Sequence, residues 1–176
     1  MTLREQEEYS ALRATIRQRG TARVWITTAG LAIWSAEAIA TAVLGTPPVV
    51  SLVPLLLLAA TFEAVFALHV GVERIGRYIQ VFHETDGTAA WEAAAMDFGR
   101  PARGTAADPL AVALFAIAAV LNFVPVLAAV PVPIELIVIG GAHALFLARL
   151  AAARAGAARQ RAADLARFLE MKSTRA

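Results

Sequence analysis

The sequence predicts an all-α fold: a four-helix transmembrane bundle of two hairpins with cytoplasmic helical extensions, in a single domain of 176 residues. Three observations predict it. Four apolar stretches each approach the roughly 20 residues that cross a bilayer core of about 30 Å. Short proline-containing turns join them in pairs. All 16 lysines and arginines fall in three segments, residues 1–23, 73–108 and 149–176. Composition agrees: 59% of residues are hydrophobic and 17% charged, against roughly 25% charged in soluble domains. A soluble protein with four helices apolar all round would have too little polar surface.

The first span covers about residues 24–44, VWITTAGLAIWSAEAIATAVL. The segment 1–23 ahead of it mixes acidic and basic groups, whereas a signal peptide begins with a short positive stretch. Gly45-Thr46-Pro47-Pro48 then turns the chain into the second span, about 49–72. A linker over 85–108 leads to the third span, about 109–130, and Pro131-Val132-Pro133 turns it into the fourth, about 133–153. Proline ends or begins a helix and suits such turns. Neither hairpin turn carries a lysine or arginine, so positive-inside bias puts the three charged segments, and both termini, in the cytoplasm.

The helices continue beyond the membrane. After the second span Ile75, Tyr78, Ile79 and Phe82 recur at helical spacing, and Glu73 and Arg77 stand four apart, where they can pair. After the fourth, Leu165, Phe168 and Leu169 form a stripe, predicting one helix from Pro133 to about Met171. Before the first, Tyr9, Leu12 and Ile16 form another. Acidic residues interrupt each basic face, which favours a cytoplasmic helical bundle over helices lying flat on lipid. In the linker, Trp91, Ala95 and Phe98 share one side of a short helical segment.

Laying 62–80 over 142–160 matches Ala64 with Ala144, Phe66 with Phe146, Arg74 with Arg154 and Gly76 with Gly156. It also sets Glu63 on His143. Alanine-rich helices produce such matches by chance, so duplication and coincidence both stand.

The polar residues inside the spans carry the functional signal: Glu37, Glu63, His69, Asn122 and His143. A charged group at a span centre costs about 2.5 kcal/mol or more on insertion scales. By helical rise, Glu37 and Asn122 lie roughly 4 Å outward of their span centres and His143 near the centre. Glu63 lies a few ångströms inward and His69 near the cytoplasmic boundary. Together they read as a ladder across the membrane. Small residues beside them, such as Ala60, Ala67 and Gly71 near Glu63, mark those sides as helix contacts. Glu63 and His143 are therefore expected to face the interior of the assembly, close enough in depth for direct or water-bridged contact.

Two functions fit the ladder. One is an oligomeric proton or cation channel or small transporter, since desolvated carboxylates and histidine can carry protons. Four helices rarely enclose a pore, so conduction implies a homo-oligomer. The alternative is a non-catalytic scaffold in which these residues only hold helices together and the cytoplasmic helices bind a partner protein. No enzyme motif is present, and no cofactor is expected. The three histidines lack metal-site spacing, cysteine is absent, and a net charge of +2 gives no reason to expect nucleic acid.

The segments EYSALRATI (8–16) and RIGRYIQVFHE (74–84), with WEAAAMDFG (91–99), carry one resemblance. They resemble uncharacterised bacterial membrane proteins that pair an EYxxLRxxI segment with an RIGxYIxxxxE segment just after a transmembrane hairpin. The resemblance covers about the first 100 residues. It implies a multi-pass protein of the bacterial inner membrane and no particular activity.

Overall fold

The computed structural model describes residues 2–84, 91–92, 94–95 and 109–174. Of the predicted linker, only Trp91, Glu92, Ala94 and Ala95 are therefore described, all helical, and Phe98 lies outside the described residues. The chain is all-helical, 92% helix, with no strand among the described residues. Helix α1 is Leu3–Val43, a 3-10 turn covers Pro48–Ser51, α2 is Leu52–Phe82, α3 is Pro109–Ala128 and α4 is Pro133–Ser173.

Each boundary has a chemical cause. Thr2 caps α1: its hydroxyl accepts from the Glu5 N–H at 3.3 Å while Glu5 Oε2 accepts from the Thr2 N–H at 2.6 Å. That backbone hydrogen bond holds the Glu5 carboxyl below its ordinary pKa. α1 ends on Gly45, whose φ of 61° suits glycine, and the Thr46 N–H reaches back to the Thr41 carbonyl at 3.5 Å. α2 begins behind Pro47 and Pro48, and Pro54 sits in its first turn, where no amide is missed. α4 opens on Pro133, with Glu135 Oε2 accepting from the Val132 N–H at 3.1 Å. α3 continues through Pro125 to Ala128.

Two extensions form as the periodicity predicts. α2 runs unbroken past Val72–Ile75, and α4 spans 41 residues, roughly 60 Å. The segment ahead of the first span is fused to it, making α1 a 41-residue helix as well. With its leading turn, α2 is one of three helices among the described residues that are long and apolar enough to cross a membrane, α1 and α4 being the others. α3 contributes a shorter apolar run, Val112–Ala128.

α2 is the hub, packing against α1, α3 and α4. Leu55, Leu58 and Phe62 of α2 meet Phe115, Ala118 and Ala119 of α3 and Phe146, Leu150 and Ala153 of α4. α1 is peripheral: Gly30 is its only buried residue among those described, and a Cβ there would collide with the Thr61 side chain. Its far side exposes Val24, Trp25, Ile33, Ile39 and Val43.

At the polar end the helix extensions pack on α2. Tyr78 donates its hydroxyl to Glu8 at 2.8 Å, and the Tyr78 and Phe168 rings stand edge to face at 5.7 Å. Arg74 meets Asp164 at 3.2 Å, Arg161 meets Glu73 at 2.8 Å, and Lys172 donates to the Val81 carbonyl at 2.7 Å. Leu169 departs from its predicted stripe and stays 52% exposed, since Asp164, Phe168 and Lys172 make the contact instead.

Candidate functional site

The five polar residues of the predicted ladder separate into four different environments. Asn122 and His143 come together in the interior, 3% and 5% exposed. Asn122 projects from α3 and His143 from α4. His143 Nδ1 lies 2.8 Å from the Ile139 carbonyl, which can only accept, so Nδ1 carries the proton. Nε2 is then an acceptor and takes one amide hydrogen of Asn122 at 3.1 Å. The other amide hydrogen goes to the Ser51 carbonyl at 3.0 Å. Trp34 Nε1 donates to Asn122 Oδ1 at 3.3 Å. The Phe123 ring covers the imidazole at 5.0 Å. A proton added at Nε2 would face the Asn122 amide hydrogens, so this arrangement selects one neutral tautomer.

Glu63 is on the outside of the chain. It faces Arg149 of α4 through two parallel hydrogen-bonding contacts, Nε to Oε1 and Nη2 to Oε2, each 2.8 Å. The side chains keep 48% and 40% of their surface exposed. The guanidinium also lies over the Phe66 and Phe62 rings, at 5.3 and 5.9 Å from their centroids. Ala60 and Ala67, read from sequence as a contact side, are exposed with it, while Gly71 lies under the Arg19 guanidinium. The partners are therefore Glu63 with Arg149 and His143 with Asn122. The expected meeting of Glu63 with His143 is replaced by these two pairs.

His69 accepts at Nδ1 from Arg23 Nη1 at 3.1 Å, at the boundary between the apolar and polar ends. Glu37 is exposed on α1, without a hydrogen-bond or ion partner among the described residues.

Sequence reasoning missed Trp34, Ser51 and the role of Arg149. The signals were present. An indole at the centre of a span needs an acceptor, because tryptophan otherwise favours the membrane interface. Arg149 lies roughly 5 Å nearer the cytoplasm than Glu63 by helical rise, within reach of a long side chain.

A second polar cluster lies at the polar end. Arg77, 4% exposed, donates to Glu73 at 2.9 Å, and Glu73 is shared with Arg161. Burial pushes the Arg77 guanidinium below its ordinary pKa, with Glu73 opposing. Arg13 meets Glu92 at 2.8 Å, and Glu92 lies against Gly76, where a Cβ would crowd its carboxylate. Desolvation acts to lower the Arg13 pKa, but Tyr9 and Glu92 raise it on balance. Glu92 thereby ties the linker to both α1 and α2.

No protein family, no curated protein and no solved structure matches the chain.

Proposed function

We propose that this protein is a four-span, non-catalytic membrane scaffold. In this reading two hairpins anchor it in the bacterial inner membrane, both termini are cytoplasmic, and the packed polar end holds a partner protein. The placement of lysine and arginine supports the orientation, and the resemblance at 8–16 and 74–84 supports the compartment. α3 has 20 residues, roughly 30 Å, which is long enough for a fourth span.

One observation carries the choice between scaffold and conductor. Asn122 and His143 direct their hydrogen bonds at each other and at Trp34, Ser51 and Ile139. Glu63 is neutralised by a bidentate arginine. A proton relay needs groups that exchange partners, and both these clusters are closed on themselves. Polar residues that bond across helices hold membrane helices together without further chemistry.

A second reading, an oligomeric proton or cation path, is favoured by Glu37. A carboxylate on the outer face of α1 calls for a polar neighbour from outside the chain. A second copy packed on the Val24–Val43 face would supply one, and a homo-oligomer is compatible with either function.

The test is flux. Full-length protein in liposomes under a pH or potassium gradient is expected to leak no faster than protein-free vesicles. A pH-dependent flux that Glu63→Gln or Glu37→Gln abolishes would overturn the scaffold and establish the conductor. Reporter fusions after Thr46 and Ala176 check the orientation: the first is expected on the periplasmic side, the second in the cytoplasm.

A further inference from the structure

A cavity of about 250 Å³ opens between α1, α2 and α3 at the boundary of the apolar and polar ends. Its walls are apolar, formed chiefly by Val24, Phe62, Val65, Phe66, Val112 and Phe115. Arg23 and His69 stand at its polar-end mouth. From His69 to Phe62 the slot follows seven residues of α2, roughly 10 Å of depth. Half of a bilayer core is about 15 Å. The slot thus has the depth and lining of a site for the upper part of one acyl chain in the cytoplasmic leaflet.

The charge at its mouth has no carboxylate partner among the described residues. Arg13, Arg74, Arg77, Arg149 and Arg161 each meet a carboxylate within 3.2 Å. Arg19 and Arg23 meet none, nor do Arg4, Arg17, Arg154, Arg159 and Arg167, but Arg19 and Arg23 lie one turn apart on α1 and both reach α2 beside the slot. Arg19 lies over Gly71, and Arg23 donates to a neutral nitrogen of His69. Two guanidiniums above an apolar slot at headgroup depth call for an anion, and a phosphodiester supplies one with bidentate geometry.

We propose that this slot binds an anionic diacyl phospholipid of the cytoplasmic leaflet, its phosphate on Arg19 and Arg23 and one acyl chain between α1 and α3. The site rests on the membrane-spanning reading above. It adds a specific lipid partner that neither function class requires.

Competition between lipids tests it. Full-length protein in detergent is equilibrated with equimolar phosphatidylglycerol and phosphatidylcholine, and retained lipid is counted by native mass spectrometry. The expected preference for phosphatidylglycerol is on the order of tenfold. Arg19→Gln/Arg23→Gln should reduce it to about one. Thr28→Trp, an exposed position on the slot's rim, should lower retention of phosphatidylglycerol with both arginines intact. A large excess of inorganic phosphate should not displace the lipid, because it has no chain to fill the slot. An unchanged preference in the double variant, undiminished retention in Thr28→Trp, or full displacement by phosphate would each overturn the site. Carbonate extraction of cell membranes separates this failure from the larger one. Wild-type protein released by carbonate refutes the spanning reading, whereas protein that stays in the membrane with no lipid preference refutes the slot alone.

Discussion

His143 and Glu63 invite comparison, because laying 62–80 over 142–160 sets one on the other and they differ by only a few ångströms in depth. One is buried in a hydrogen-bonded network, and the other rides on the outside of the chain. The difference is azimuth. The buried positions of α4 run Ile139, His143, Phe146, Leu150, Ala153 and Ala157, alternating steps of four and three. His143 is a member of that seam. On α2 the seam passes through Leu58, Phe62 and Val65, so Glu63 stands one residue, about 100°, off it. A single position thus turns a core residue into a surface one. The polar group is then satisfied differently: His143 by neutral neighbours that bury it, Glu63 by a counter-ion that need not.

The largest expected effect comes from removing one member of the charged pair. In the membrane-spanning reading, Glu63→Leu strands Arg149 within the fourth span, a loss of about 3 kcal/mol. Glu63→Leu/Arg149→Leu should recover to within about 1 kcal/mol of wild type, since replacing both partners with apolar groups costs little. Reversible unfolding in mixed micelles measures both. If the double variant is as unstable as the single one, the pair contributes through packing on Phe62 and Phe66, and the contrast with His143 loses its electrostatic basis.

The closed network should respond less, and without rescue by a single partner. Asn122→Leu leaves the Trp34 N–H and His143 Nε2 unpaired, at a cost of about 2 kcal/mol. His143→Leu added to it should not restore stability, because the Trp34 N–H remains unpaired. Full recovery in that double variant would reduce the network to a two-residue contact like the one at Glu63.

Helix continuity was legible in the sequence and side-chain direction was not. Apolar periodicity alone carried α2 and α4 past their most apolar stretches as unbroken helices. Two continuous features needed no tertiary knowledge: the absence of proline from Val72 to Phe82, and the stripe through Tyr78 and Phe82. Azimuth depends on which helices touch. Small residues beside Glu63 suggested a contact side, but α2 already had three neighbours on its other faces. The Arg149 partnership was hidden because arginine reaches several ångströms along the helix from its own level. Trp34 was hidden because an indole reads as apolar until its N–H needs an acceptor.

The smallest effect tests how far the network extends toward α1. Trp34 contributes one hydrogen bond at 3.3 Å, the longest of those made by Asn122, and its side chain is only partly buried. Trp34→Phe removes that bond but also trims a ring that packs on the core, so the raw loss mixes two causes. A double-mutant cycle with Asn122→Leu separates them, because packing lost from the ring is common to both backgrounds. The coupling should be about 0.6 kcal/mol, the average for hydrogen bonds between membrane helices. A coupling of about 2 kcal/mol, the upper end for such bonds, would make Trp34 an anchor of the site, and α1 would then belong to the closed cluster with α3 and α4. At the smaller value α1 is held by the close approach of Gly30 to Thr61 and by its polar-end contacts, Glu8 with Tyr78, Arg13 with Glu92 and Arg23 with His69. Its outer face with Glu37 could then shift against α2 without disturbing the buried histidine.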